Sequence, residues 1–168
     1  MPNHCENELL LQANTTEELG LVQHFLGSIQ EEGQDPNLNF TRLSPRPEEE
    51  ADNWYNWNVE NWGTKWNCYD VIMSEITIPY YEKPILQYTF MTAWSPMSDD
   101  LVLILSKEFP KVHCTLYYNE PGMMYGGCTT AFAGELSITD TWELNPCLNH
   151  YLSDGQESLE ELAKEEEE

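Results

Sequence analysis

Basic residues are scarce in this sequence: seven Lys and Arg stand against thirty Asp and Glu, so the formal net charge is −23. Contacts of Lys and Arg with phosphate supply most of a protein's non-specific affinity for nucleic acid, so the composition argues against direct binding of DNA or RNA. The acids are not confined to the C-terminus, because residues 1–153 hold 22 acids and six bases, or −16. A basic protein partner is therefore expected, although high net charge also keeps a small domain soluble by itself.

The sequence also lacks the features of membrane and secreted proteins. No apolar run approaches 18 residues, and the polar, acidic N-terminus, MPNHCENE, is unlike a signal peptide. The five cysteines are odd in number and widely spaced, with no C-x-x-C pair, which predicts reduced, mostly buried thiols. We therefore expect a cytoplasmic protein without a disulfide framework.

Motifs of the common enzyme classes are missing too, since the chain has no G-x-S-x-G, P-loop, G-x-G-x-x-G or H-E-x-x-H. Two His-Cys pairs, at residues 4–5 and 113–114, fall at the start of one predicted strand and within another. Adjacent strand residues point to opposite faces, so each pair offers only one ligand to any metal site. We therefore predict no catalytic residues, no metal site, no cofactor and no enzymatic activity.

Hydrophobic periodicity predicts an α+β fold, because stretches of alternating apolar residues are separated by stretches with helical spacing. The predicted strands are residues 6–13, a short strand from Leu38, and residues 69–78, 85–94, 111–118 and 125–138. The first predicted helix begins with a capping box of Thr15 and Glu18 and stops at Gly33, and the second begins at Ser95 and Pro96. Apart from one added strand, this order is ferredoxin-like, with a mainly antiparallel sheet and two helices on one face.

The same patterns predict the domain organisation. Residues 1–140 are expected to form the ferredoxin-like domain, with a Trp-rich insertion at about residues 54–66. Residues 141–168 are expected to form an acidic C-terminal extension that is partly disordered, because like charges repel one another in any helix they form.

The Trp-rich insertion is the densest aromatic cluster in the chain. Its rings could stack on a ligand or on a partner's side chains, but base stacking normally accompanies a cationic groove, and Lys65 is the only base between Arg46 and Lys83. One hypothesis is a ligand pocket lined by Trp62, Gly63, Lys65, Trp66 and Trp94. The alternative is that Trp62 and Trp66 seal one end of the sheet, with Lys65 paired to a carboxylate. Candidate partner-binding residues are Glu48, Glu49, Glu50, Asp52, Trp54, Trp57 and Glu60.

Three phrases, MPNHCEN at the start, WGTKWNCYD from Trp62 to Asp70, and TAWSP from Thr92 to Pro96, together resemble the YubB-type ferredoxin-like domain family of conjugative plasmids and phages. The resemblance covers about residues 1–140. The matching positions are Asn3, Cys5, Asn7, Trp62, Gly63, Lys65, Trp66, Asn67, Trp94, Ser95 and Pro96. His4 departs from the family's usual tryptophan, and Met97 from a common second proline.

The resemblance implies an accessory protein of a mobile element, acting in a bacterial cell, and it implies no particular reaction. Together with the charge, it favours a protein that binds and inhibits a basic, nucleic-acid-binding host defence protein by imitating DNA. One alternative is a nucleotide-like small ligand, or an enzymatic role, at the Trp/Lys pocket. Another is a structural or assembly role.

Overall fold

In the described residues, the computed structural model contains six strands in one antiparallel sheet. The strands are β1 (His4–Gln12), β2 (Tyr69–Ile76), β3 (Ile85–Ala93), β4 (His113–Glu120), β5 (Tyr125–Phe132) and β6 (Glu135–Glu143), in the spatial order β2-β3-β1-β4-β5-β6. The structure describes residues 3–27, 37–76 and 83–144. Within these ranges the α-helices are α1 (Thr16–Gly27), α2 (Trp54–Trp62) and α3 (Asp99–Glu108). With α1 and α3, the first four strands have the ferredoxin-like order, which confirms the predicted fold class.

The core lies between one face of the sheet and helices α1 and α3. In β3, Leu86, Tyr88 and Phe90 are buried, while the residues between them are only half-buried. They pack in one cluster with Val22 of α1 and Leu105 of α3. The apolar residues that alternate along the strands and those at helical spacing in α1 and α3 therefore pack into a single apolar layer.

Helix α1 begins at the predicted cap. The Thr15 hydroxyl accepts a hydrogen bond from the Glu18 N–H at 3.3 Å, and the Glu18 carboxylate accepts one from the Asn14 N–H at 3.1 Å. The two bonds satisfy backbone donors that a helix start leaves unpaired. The predicted end at Gly33 lies outside the described residues.

The strand predicted from Leu38 is wrong, because the chain forms a 3₁₀ turn at Phe40–Arg42 instead. Side chains take the backbone donors that a strand would use: Asn39 accepts from the Thr41 N–H at 2.9 Å, and Asn67 accepts from the Phe40 N–H at 2.9 Å. The Phe40 ring is buried and packs edge-on against Phe90. One neighbouring and one distant polar side chain thus override a β-like sequence pattern.

The long strand predicted at residues 125–138 is also wrong, because the chain reverses within it. Ala133 and Gly134 have φ values of 50° and 80°, as in the two-residue turns that match the twist of a β-hairpin. The second half returns as β6 and pairs with β5, for example Cys128 with Asp140. The hairpin widens the sheet, and β6 continues to Glu143. Most of the predicted C-terminal extension, residues 145–168, lies outside the described residues.

Helix α3 begins at Asp99 and not at Ser95. Its N-cap is Ser98, whose hydroxyl accepts from the Leu101 N–H at 3.4 Å, and Asp99 and Asp100 occupy the first turn as expected for the positive end of a helix dipole. The preceding segment is held by side chains, since the Thr92 hydroxyl donates to the Ser95 carbonyl at 2.6 Å. None of the helices in the described ranges has the length and apolar character needed to span a bilayer.

Candidate functional site

The three phrases of the family resemblance meet at one end of the sheet, and Asn7 joins two of them. Its amide N–H groups donate to the Thr92 hydroxyl at 2.8 Å and to the Cys5 carbonyl at 3.0 Å. Its amide oxygen accepts from the Met97 N–H at 3.1 Å. Because Asn7 is buried, these bonds replace water and hold the segment before α3 against β1.

Further hydrogen bonds join the WGTKWNCYD phrase to TAWSP, and TAWSP to MPNHCEN. The Thr64 hydroxyl donates to the Ala93 carbonyl at 2.9 Å and accepts from the Ala93 N–H at 3.1 Å. The Trp94 N–H donates to the Asn3 carbonyl at 2.9 Å, and the Ser98 N–H donates to the Trp62 carbonyl at 2.9 Å. The residues that carry the resemblance therefore form one hydrogen-bonded scaffold.

Replacing Asn7 with alanine is expected to lower the free energy of unfolding by about 2 kcal/mol, because it leaves the Met97 N–H buried without its acceptor and removes the donor to the Thr92 hydroxyl and the Cys5 carbonyl. Asn56→Ala is the matched control, because Asn56 is exposed and makes one hydrogen bond, to Asn53. Urea denaturation of the two variants measures the difference. Equal stability would show that Asn7 does not anchor the scaffold.

The two tryptophans of the WGTKW phrase have different environments. Trp62 is 5% exposed, donates its indole N–H to the Ser44 carbonyl at 2.9 Å, and packs edge-on against Phe40 and Trp57. Trp66 is 40% exposed. The structure therefore places Trp62 in the core and leaves Trp66 at the surface, so these residues neither line one pocket nor seal the sheet together.

Gly63 separates α2 from the rest of the phrase and has a φ of 78°. A Cβ at this position would approach the Pro96 carbonyl oxygen to 3.0 Å and the Ser98 N–H nitrogen to 3.1 Å. Glycine therefore both ends α2 in the left-handed conformation and allows close approach to the segment before α3.

Lys65 lies among aromatic rings, where the sequence suggested a carboxylate partner. Its Nζ atom is 4.7 Å from the ring centroid of Trp66, 5.0 Å from that of Trp94 and 6.0 Å from that of Tyr55. We call these three rings the aromatic cage. Within the described ranges, no carboxylate lies at ion-pair distance from Lys65. The contacts are cation–π interactions, in which the negative ring faces attract the ammonium.

Trp94 is held in an unusual backbone conformation at the edge of the cage. Its φ is 70°, a value that non-glycine residues rarely adopt, and its carbonyl accepts from the Tyr125 hydroxyl at 3.3 Å. The Trp94 and Tyr55 rings are 6.3 Å apart at an interplanar angle of 73°. A residue kept at positive φ by surrounding contacts is typical of functional sites.

The candidate partner-binding residues lie around the start of α2. Glu48–Glu50 form a short 3₁₀ turn, and the Glu50 carboxylate accepts from the Asn53 side chain at 2.9 Å. Asp52, Trp54 and Glu60 are exposed, whereas Trp57 is half-buried against Trp62. Most of this set is available to a partner, while Trp57 belongs in part to the core.

A groove that the sequence did not predict lies on the sheet face opposite the helices. It encloses about 530 Å³, carries Glu6, Glu8 and Asp70, and has an apolar lining that includes Ile72 and Tyr117. Ile72 is 67% exposed. We call this the acidic groove. Glu6 and Glu8 alternate with the buried side chains of β1, so strand alternation was the available signal.

The charge around the acidic groove has one sign. Its lining residues include Glu6, Glu8 and Asp70 and neither Lys nor Arg. Glu8 accepts a hydrogen bond from the Gln87 side chain, whereas the side-chain oxygen of Asn119, which also lines the groove, is buried without a partner among the described residues. The groove therefore offers acceptors that suit a cationic hydrogen-bond donor.

The remaining polar groups give little support to nucleophilic or metal chemistry. Burial raises the pKa of the Cys5 thiol to about 12, and the nearby Glu120 carboxylate adds to that rise, so Cys5 stays protonated at neutral pH. Cys114 lies opposite Leu11 in the pairing of β4 with β1, whereas Cys5 is near the other end of β1, so the Cys5 and Cys114 thiols are far apart. Within the part of the chain that the structure describes, no group of three potential metal ligands converges.

Comparison with known proteins supports the fold described above. A family model for the "Ferredoxin-like domain in Api92-like protein" matches residues 61–164, more than half of the chain. The crystal structure of a protein api92 from Yersinia pseudotuberculosis is similar with a TM-score of 0.67 and 10% identity, covering 87% of this chain and 100% of that one. At this identity the likeness shows a shared fold alone. A search of curated proteins found no match.

Proposed function

The chain belongs to the family of ferredoxin-like domains in Api92-like proteins, and from that premise we propose that it binds a basic, nucleic-acid-binding host protein through the acidic groove and inhibits it. The observation that carries the proposal is the charge of the groove, whose lining includes Glu6, Glu8 and Asp70 and neither Lys nor Arg. In RNA recognition motifs, a four-stranded sheet presents its face to RNA bases. Here the groove on the exposed sheet face carries Glu6, Glu8 and Asp70, which have the same sign of charge as nucleic-acid phosphates.

The acidic groove suits the side chains of Lys and Arg in particular. Their charged ends would lie near Glu6 and Asp70 and could donate to Asn119, while their aliphatic stems would cover Ile72. Such a side chain in a partner normally contacts nucleic-acid phosphates. When carboxylates on the rigid sheet bind that Lys or Arg side chain, the side chain is no longer available to a phosphate. The partner would thus be inhibited by a protein that imitates DNA.

Two further observations support a host partner. The net charge of −23 would attract a basic protein over long distances and speed association, and this attraction weakens with salt. The resemblance of the three scaffold phrases to the YubB-type family of plasmids and phages favours an accessory protein acting on the cell that carries the element. A defence nuclease would have the required basic surface.

The test starts from proteins captured from bacterial lysate at low salt and released at high salt, followed by direct titration of each purified candidate. We expect wild-type protein to block the DNA binding of the genuine partner. The double variant Glu6→Lys with Asp70→Asn is expected to weaken binding about 100-fold, because it places a like charge against the partner's cation and removes a second carboxylate. Asparagine is chosen because Asp70 has a φ of 52°, which asparagine tolerates.

The control variant is Glu48→Lys with Asp52→Asn, which makes the same change in charge at the candidate residues before α2. We expect it to retain most of the affinity. If instead only this control loses binding, the partner docks beside α2 and the acidic groove is not the interface. Salt-independent binding that neither variant changes would contradict the proposed function itself.

A further inference from the structure

The aromatic cage has the geometry of a cation site and already contains a cation. Lys65 Nζ lies 4.7 to 6.0 Å from the three ring centroids. The rings come from different parts of the chain: Tyr55 in α2, Trp66 after it, and Trp94 after β3. Each ring residue is 39 or 40% exposed, so the cage opens to solvent.

We propose that this aromatic cage binds a methylated or quaternary ammonium group, which enters by displacing the ammonium of Lys65. The proposal is independent of the acidic groove and of the identity of any host partner. The ligand is a cation, opposite in charge to the nucleotide-like ligand that the sequence suggested. A phosphate group would be repelled by a chain of net charge −23, and the lysine that would have to bind it faces the rings instead.

Ring orientation favours an ammonium over a guanidinium. The Tyr55 and Trp94 rings are inclined at 73° to each other, so these two rings do not form a parallel slot. A planar guanidinium gains most by stacking flat on ring faces, whereas a round alkylammonium contacts several faces together. The shape of the cage therefore matches a tetrahedral cation.

Lys65 is suited to be displaced. No carboxylate holds it at ion-pair distance among the described residues, and its primary ammonium is strongly hydrated outside the cage. Methyl groups on a competing ammonium reduce that hydration, so a methylated cation loses less on entering the rings.

The backbone that carries the cage residues is held by hydrogen bonds that do not involve the Lys65 side chain. The Lys65 carbonyl accepts from the Asn58 side chain at 2.8 Å, and the Trp94 N–H is bonded to Asn3. Truncating Lys65 is therefore expected to leave Trp66 and Trp94 in place. A preformed site of this kind binds without the cost of ordering its walls.

The experiment titrates tetramethylammonium chloride into wild-type protein and into Lys65→Ala, following indole N–H resonances by NMR at constant ionic strength. We expect saturable shifts in both proteins, with about tenfold tighter binding to Lys65→Ala, because one cation–π competitor is removed. Lys111→Ala is the control, since Lys111 is exposed and, among the described residues, pairs with Glu18 at 3.7 Å, away from the aromatic cage. That variant should bind as the wild type does.

The double variant Lys65→Ala with Trp66→Ala is expected to lose saturable binding, and exposed Trp66 can be truncated without opening the core. The proposal is overturned if Lys65→Ala shows no saturation, if it binds no more tightly than the wild type, or if the double variant binds as well as Lys65→Ala. Equally tight binding of guanidinium would overturn the ligand class.

A second titration separates the two sources of such a cation. Tighter binding of a trimethyl-lysine peptide than of tetramethylammonium would identify a methylated protein as the ligand. Equal binding of the two would identify a small quaternary amine. Both results support the cage as an ammonium site.

Discussion

Trp62→Ala is expected to lower the free energy of unfolding by about 3–5 kcal/mol, the usual cost of truncating a buried Trp. Trp62 is 5% exposed, and its ring packs edge-on against Phe40 and Trp57. Truncation would leave a cavity beside both rings and would remove the indole N–H that the Ser44 carbonyl accepts. Urea denaturation followed by circular dichroism measures the loss.

Trp66→Ala is the matched control, because it makes the same substitution four positions later. Since Trp66 is 40% exposed and contacts the Lys65 ammonium, we expect a loss below about 1 kcal/mol. Similar losses for the two variants would mean that both rings belong to the core and that the open aromatic cage is not the native arrangement.

Stability is expected to fall steeply in alkali, between pH 9 and about 12. Burial raises the pKa of the Cys5 and Cys114 thiols from 9.0 to about 12 in the folded protein. Below pH 9 the thiols are protonated in both states, so stability is unaffected. Between pH 9 and 12 only the unfolded chain releases these protons, and at pH 11 each thiol is expected to reduce the free energy of unfolding by about 2–3 kcal/mol.

The cause can be isolated by substitution. Cys114→Ala should flatten the decline above pH 9, whereas Cys128→Ala should not, because Cys128 is only partly buried. Urea denaturation at each pH gives the comparison. A remaining decline above pH 10 is expected from Tyr88 and Tyr125, whose pKa values burial also raises. An identical pH profile for all variants would show that the thiols are not responsible.

The predicted elements that formed are those whose signals in the sequence, periodicity and capping residues, are local. Leu86, Tyr88 and Phe90 are buried as their alternation predicts, and the cap of α1 uses Thr15 and Glu18. The elements that differed were changed by distant residues or by turn chemistry. Asn67 takes the Phe40 N–H from 27 positions away, and the Ala133–Gly134 turn reverses a stretch whose residue pattern looks continuous.

The residues of the candidate sites also differ in whether the sequence alone could indicate them. The sequence pointed to Lys65, Trp66 and Trp94 through their rarity and their place in the three phrases, but not to the role of Tyr55, which depends on the orientation of α2. The acidic groove needed a structure, because Glu6 and Asp70 are 64 positions apart and meet only through the pairing of β1 and β2 with β3.

By itself, then, the sequence determined the ferredoxin-like order of elements and the negative charge, since periodicity, capping and composition act through neighbouring residues or through simple totals. Only the tertiary structure decided which acids share a groove and which rings surround Lys65. Those groupings depend on strand register and on single backbone conformations, such as the positive φ of Trp94, that surrounding contacts impose.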